Sequence, residues 1–145
     1  MDGLPQDDTK AMELYRQAAE LDYAAAFHNI GCAYQEGRGV EMDEKKAIYY
    51  WERAAMGGDT EARYSLGVVE HKAGNMQRAL RHYMIALEDG YSDSLKNIQK
   101  LYSNGHTTKD EYTQALRAHQ KYLQEVKSIQ RDQAAAAFEG YKYYE

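Results

Sequence analysis

Residues 21–64 read LDYAAAFHNIGCAYQEGRGVEMDEKKAIYYWERAAMGGDTEARY, and displaced by 36 positions much of the neighbouring chain falls on itself. Gly3 meets Gly39, Asp7 meets Asp43, Lys10 and Ala11 meet Lys46 and Ala47, and Ala18 and Ala19 meet Ala54 and Ala55. Further on, Ala26 meets Ala62, Ile30 meets Leu66 and Gly31 meets Gly67. A fixed period of a few tens of residues marks units that cannot bury their apolar faces alone and do so by stacking. Within each unit the apolar residues recur every three or four positions, which is helical spacing. The expected fold class is therefore all-α: an α-α superhelix, a solenoid of stacked antiparallel helical hairpins.

Working outward from this unit, Met1–Asp7 matches the loop Gly37–Asp43, so the chain is expected to begin in mid-repeat, with Pro5 in a loop and Asp7 or Asp8 as a helix N-cap. The helix that follows, about residues 8–21, would turn Ala11, Leu14, Tyr15, Ala18 and Leu21 inward as the second helix of a hairpin without its first. Residues 24–36 form the next helix, with Phe27, Ile30, Gly31 and Tyr34 inward. Gly31 costs helix stability of about 1 kcal/mol relative to alanine, so a close neighbour must need the space. Gly37 is placed as a left-handed cap, Val40 as an apolar plug and Asp43 as the cap of helix 44–56, which turns Ala47, Tyr50, Trp51, Ala54 and Ala55 inward.

The third unit shortens. Gly31 to Ala47 is 16 residues but Gly67 to Ala79 only 12, because the Gly-x-Gly-Val loop is replaced by the turn Ala73-Gly74-Asn75-Met76. Helices are expected over 60–73, 76–88 (offering Ala79, Tyr83, Ala86 and Leu87) and 92–103 (with Leu95, Ile98, Leu101 and Tyr102 apolar). Thr108 or Asp110 then caps a last helix from about Lys109 to Ala137 or beyond, with Tyr112, Leu116, His119, Leu123, Val126 and Gln130 in periodic register. Two parts follow: a repeat array over residues 1–107, about three units with the first incomplete, and a long C-terminal capping helix and tail over 108–145. Tyr141, Tyr143 and Tyr144 are expected to pack back or fray.

The 145 residues carry a formal charge of −5, which gives no electrostatic footprint for nucleic acid or an anionic membrane. Fourteen tyrosines against two phenylalanines mean that the interior is built from amphipathic rings. One cysteine, Cys32, excludes an internal disulfide and a cysteine-based zinc cage. No apolar run reaches bilayer-spanning length, and the first residues have neither a basic nor an apolar leader segment, so the expected setting is cytoplasmic.

Ala26, Ile30, Gly31, Tyr34, Gly37, Gly39, Val40, Asp43, Lys46, Ala47, Tyr50, Trp51, Ala54, Ala55 and Gly58 carry a pattern that resembles the Sel-one-like repeat (SLR), a relative of the tetratricopeptide repeat. The resemblance covers about residues 3–105. The third unit departs from it, with Glu70 where Tyr34 stood, and Leu66, Gly67, Gly74, Ala79, Tyr83 and Ala86 take plain tetratricopeptide spacing instead. The resemblance implies a non-catalytic scaffold or adaptor for protein–protein interaction, with the first helix of each hairpin lining a concave face.

Non-core residues of those first helices are then the candidate partner-binding positions: His28, Asn29 and Gln35; Tyr64, Ser65, His71 and Lys72; Lys96, Asn97 and Lys100. Asn29, Ser65 and Asn97 recur at one register, and an asparagine side chain offers both donor and acceptor to a peptide backbone. Lys72, Lys96 and Lys100 would favour a carboxylate-bearing protein or peptide. Solvated helix surface is the plainer reading of the same residues. No cofactor or metal site is expected: no His pair stands at i, i+4, no His-Glu-x-x-His occurs, and Gly37 and Gly39 lack the strand and the Gly-Lys-Ser/Thr of a phosphate loop. Cys32 reads as a small packing residue rather than a nucleophile. An enzyme would need a convergent acid/base constellation that the sequence does not contain. The alternative is an assembly subunit, a homodimer formed through the incomplete N-terminal repeat around Leu14 and Tyr15.

Overall fold

A computed structural model describes residues 3–142, and every described element is helical: α1 (Gly3–Glu20), α2 (Ala24–Glu36), α3 (Glu44–Met56), α4 (Thr60–Lys72), α5 (Met76–Glu88), α6 (Asp93–Ser103) and α7 (Lys109–Lys142). Helices α2 and α3 pair as one hairpin and α4 and α5 as the next. Contacts α1–α2, α3–α4 and α5–α6 join successive units, and α7 packs on both α5 and α6. This is the expected helical solenoid.

The complete unit shows why the pattern folds this way. Gly37 takes φ +70° and ends α2, its N–H returning to the carbonyl of Ala33. Asp43 then caps α3 by accepting the N–H of Lys46 at 3.1 Å. Between them α2 and α3 enclose Phe27, Ala47, Trp51, Ala54 and Ala55, completed by Ala62 and Leu66 of α4. A β-carbon at Gly31 would lie 2.5 Å from Trp51 Cδ1, so the glycine is where the indole lies against the helix backbone. Gly67 repeats the device against the ring of Tyr83. A second cluster, Leu80, Tyr83, Leu87, Ile98, Leu101 and Ala115, holds α5, α6 and α7 together.

The structure corrects the expected first turn. Residues 3–7 are helical, so the loop placed there, with Pro5 in it and Asp7 or Asp8 as cap, is instead the start of α1. Pro5 stands in the first turn of α1, where its missing N–H would have had no intrahelical acceptor. The inward stripe of α1 also differs. Met12 is buried with Ile30 and Ala33, supported by Tyr15 and Ala19, while Leu14 and Leu21 are 63% and 69% exposed. Their side of α1 meets no preceding helix among the described residues. Likewise α7 buries Ala115 and half-buries Tyr112, His119, Tyr122 and Val126, whereas Leu116 and Leu123 face solvent; Tyr102 of α6 is 38% exposed and stacks on Tyr112 with ring centroids 4.8 Å apart. Residues 127–141 are exposed throughout, Tyr141 among them, so that ring does not pack back. Tyr143 and Tyr144 lie outside the described residues.

Candidate functional site

The first helices α2, α4 and α6 present equivalent positions side by side. His28, Tyr64 and Lys96 share one register, Asn29, Ser65 and Asn97 the next, and Gln35 and His71 stand one turn or more further on. Asp59 fixes the start of α4 by accepting the N–H of Ala62 at 2.8 Å, and this sets the rotation of Tyr64 and His71. Side chains bridge the helices along this face. His28 Nδ1 stands 3.9 Å from Glu61 Oε2, linking α2 to α4. The Tyr64 hydroxyl donates to Asn97 Oδ1 at 3.4 Å, linking α4 to α6.

Around Tyr64 the structure gathers an aromatic and polar group. Its ring centroid lies 5.6 Å from that of Tyr83 and 4.9 Å from that of Tyr91. The fully enclosed Tyr83 brings its hydroxyl within 3.4 Å of His71 Nδ1. Thus Tyr64, His71 and Asn97 form one connected group through Tyr83. Burial pushes the Tyr83 phenol above its ordinary value. Burial, with the Asp93 and Glu61 carboxylates next, does the same for Tyr91. Both hydroxyls are therefore neutral donor–acceptors at physiological pH. Gln35, Lys72, Lys96 and Lys100 are exposed, and the lysines make no ion pair among the described residues. Asn29 and Ser65 are half-buried on the same face without a side-chain hydrogen bond among those residues.

Two parts of this site escaped the sequence. Tyr83 reads only as core and Tyr91 follows the loop at Gly90, outside any periodic stripe. The other is a histidine–cysteine pair at i, i+4: His28 Nε2 lies 3.5 Å from Cys32 Sγ. That spacing was legible, but it emerges only when cysteine is counted with histidine. The hydrogen bond to Cys32 raises the His28 pKa, burial opposes it, and the carboxylates of Asp59 and Glu61 add to the rise. Thiol, imidazole and Glu61 carboxylate follow one another, but at 3.9 Å the last step exceeds the hydrogen-bond reach that an activated nucleophile needs. Among the described residues no three His, Cys, Asp or Glu side chains could hold a metal ion.

Residues 1–23 and 24–59 each match the Sel1 repeat family model. Two Sel1 repeats are thus matched within residues 1–59. A crystal structure of a Sel1 repeat protein from Oxalobacter formigenes superposes with a TM-score of 0.67 at 28% identity, covering 77% of this chain and 47% of that one. A protective antigen of uropathogenic Escherichia coli displaying an SLR fold superposes at 0.66 over 79% of this chain and 26% of its own, and at 20% identity that likeness shows the fold alone. Among curated proteins, chitin synthase regulatory factor 2 of Schizosaccharomyces pombe is 30% identical over 63 residues, 43% of this chain and 12% of the relative. Chitin synthase regulatory factor 4 of the same yeast is 21% identical over 136 residues, 68% of this chain and 22% of the relative. The chain thus spans less than a quarter of either regulatory factor. Sel1 repeat proteins generally mediate protein–protein interaction. No described helix is long and apolar enough to cross a membrane.

Proposed function

We propose that the α2–α4–α6 face is the concave face of a non-catalytic scaffold or adaptor, and that it holds a peptide or protein segment. The observation that carries this is the Tyr64–Asn97 bridge with Tyr83, Tyr91 and His71 around it. The half-buried rings of Tyr64 and Tyr91, backed by the enclosed Tyr83, and the Asn97 amide offer contact area on rigid side chains, as interaction surfaces favour. The three lysines, free of carboxylate partners among the described residues, suit a carboxylate-bearing segment. His28, Asn29, Gln35 and Ser65 extend the surface toward α2. Residues 1–107 would form the array and 108–145 its cap, with α7 turning a charged surface outward. The likeness to regulatory factors supports an adaptor that acts by binding another protein, and an acidic chain with one thiol suits the cytoplasm. An array of acidic and neutral peptides, probed with the intact chain and with a Lys72→Glu/Lys96→Glu/Lys100→Glu variant, tests this. The reading requires acidic peptides to lose binding to the variant, and equal binding by both chains would count against it.

One observation favours a second reading. Leu14 is 63% exposed on α1, and its face would suit a homodimer, as an assembly subunit would need. Light scattering of the intact chain and a Leu14→Glu/Tyr15→Glu variant distinguishes the two, since only a dimer loses mass.

A further inference from the structure

On the other side of α2 from Asn29 and Cys32, successive units leave a groove that the second helices do not close. It has a volume of about 380 Å³ and is lined by Arg16, Ala19 and Glu20 of α1, Phe27 and Ile30 of α2, and Tyr49, Tyr50 and Arg53 of α3. Its floor is aromatic. Phe27 and Tyr50 stack with centroids 6.4 Å apart, Tyr49 meets Tyr50 edge-on at 5.2 Å, and Tyr49 is 52% exposed. Arg53 lies over this floor, its guanidinium 4.7 Å from the Phe27 ring and donating to the Tyr49 hydroxyl at 3.3 Å. Among the described residues neither Arg16 nor Arg53 has a carboxylate within ion-pair distance. Glu20 is the one acidic side chain in the lining.

The next seam of the same array shows how a closed one is made. There the position of Phe27 is Arg63, whose guanidinium donates to the carbonyl of Ala55 at 3.4 Å, and Ala55 is the repeat equivalent of Ala19. The seam is thus occupied by the chain's own arginine. In the first seam the arginine comes from α3, sits above a ring and donates to the Tyr49 hydroxyl.

From this we infer that the α1–α3 groove is a second binding site, distinct from the α2–α4–α6 face, and that it takes a peptide segment in which an aromatic or aliphatic side chain stands beside carboxylates. The apolar side chain packs against the exposed Tyr49 ring and the half-buried Tyr50, and the carboxylates meet Arg16 and Arg53. Charge complementarity decides the class: two unpaired guanidinium groups flank an apolar floor on a chain of net charge −5, and a guanidinium over a ring is already oriented for bidentate carboxylate recognition. Glu20 sets a limit, since it disfavours a carboxylate near the end of α1 and so places the acidic residues toward Arg53.

Fluorescence anisotropy tests the inference with the full chain and two labelled, blocked pentapeptides, one with a central phenylalanine flanked by glutamates and the other with glutamines instead. The glutamate peptide should bind at least tenfold more tightly than the glutamine peptide, and Arg16→Gln/Arg53→Gln should remove that preference while the circular dichroism spectrum is retained. Lys96→Gln/Lys100→Gln should leave it intact. Equal binding of the two peptides, or a preference lost only in the lysine variant, would overturn the site. The latter result would leave the concave-face reading standing.

Discussion

A β-carbon added at Gly31 would lie 2.5 Å from Trp51 Cδ1, 2.6 Å from Nε1 and 3.1 Å from the carbonyl oxygen of Ala47. Ordinary contact begins at 3.4 Å, so in Gly31→Ala the indole must retreat by about 0.9 Å (3.4 less 2.5). It has nowhere to go: Trp51 is 2% exposed and enclosed by Ala47, Ala54 and Leu66. The carbonyl of Ala47 is backbone and cannot rotate aside. Overpacking of this kind costs about 1–3 kcal/mol, and the clash places it at the top of that range. Replacing a helical glycine by alanine returns about 1 kcal/mol. The net expectation is a loss of about 2 kcal/mol, or a fall in melting temperature of about 4–8 °C for a chain of this size. Trp51 is the sole tryptophan, so its emission reports this contact directly while circular dichroism follows the helices. In a Trp51→Leu background the same substitution should cost little, because the indole that opposes it is gone. If Gly31→Ala melts at or above the parent with unchanged emission, close approach is not the reason for the glycine.

The remaining expectations concern caps and protons. Asp59→Ala removes the acceptor for the Ala62 N–H and should cost about 1 kcal/mol in a urea titration, whereas Asp59→Asn should retain most of it. At the start of α7, Thr108 and Glu111 cap each other, with Thr108 N–H donating to Glu111 Oε1 at 2.9 Å and Glu111 N–H to Thr108 Oγ1 at 3.1 Å. The backbone hydrogen bond from Thr108 lowers the Glu111 pKa. Its contribution is therefore present above the ordinary carboxylate range and lost as pH falls through the folded value, and Thr108→Ala, which removes the lesser hydroxyl contribution and keeps the N–H, should move the carboxyl titration seen by NMR only part of the way back. His28 and His82 oppose each other. The raised pKa of His28 contributes stability fully below its ordinary 6.5 and loses it as pH rises through the folded value. His82, lowered chiefly by burial and then by Arg63, contributes above 6.5 and loses it as pH falls. Urea titrations from pH 8 to 6 should show the deficit of His28→Asn growing and that of His82→Asn shrinking.

The fold was legible because the repeat states it twice. Asp43, Gly37, Gly31 and Trp51 perform in the structure the tasks their spacing implies, since caps and close contacts depend on residues within one unit. What the sequence concealed depends on neighbours that a repeat comparison does not supply. Met12 faces inward because α2 lies on that side of α1, and Leu14 is exposed because no described helix lies on the other. In α7, period alone could not choose between Leu116 and Ala115, and contact with α5 and α6 chose Ala115. The candidate surface divided similarly. Tyr64, His71 and Asn97 were identifiable by register, but the group they form with Tyr83 and Tyr91 is made across three helices. The Phe27-to-Arg63 exchange between equivalent positions was visible as a mismatch, and only geometry gives it meaning as an open seam beside a closed one.

The proposed concave face is tested most directly by a hydrogen-exchange footprint on the intact chain. A peptide selected for binding from a random library would be added, and the chain's amide protection compared with that of the Tyr64→Ala/Asn97→Ala variant. The account predicts new protection in α4 and α6 around Tyr64 and Asn97 that the variant loses together with its affinity. Protection confined to α7 beyond Val126, or unaltered in the variant, would contradict it.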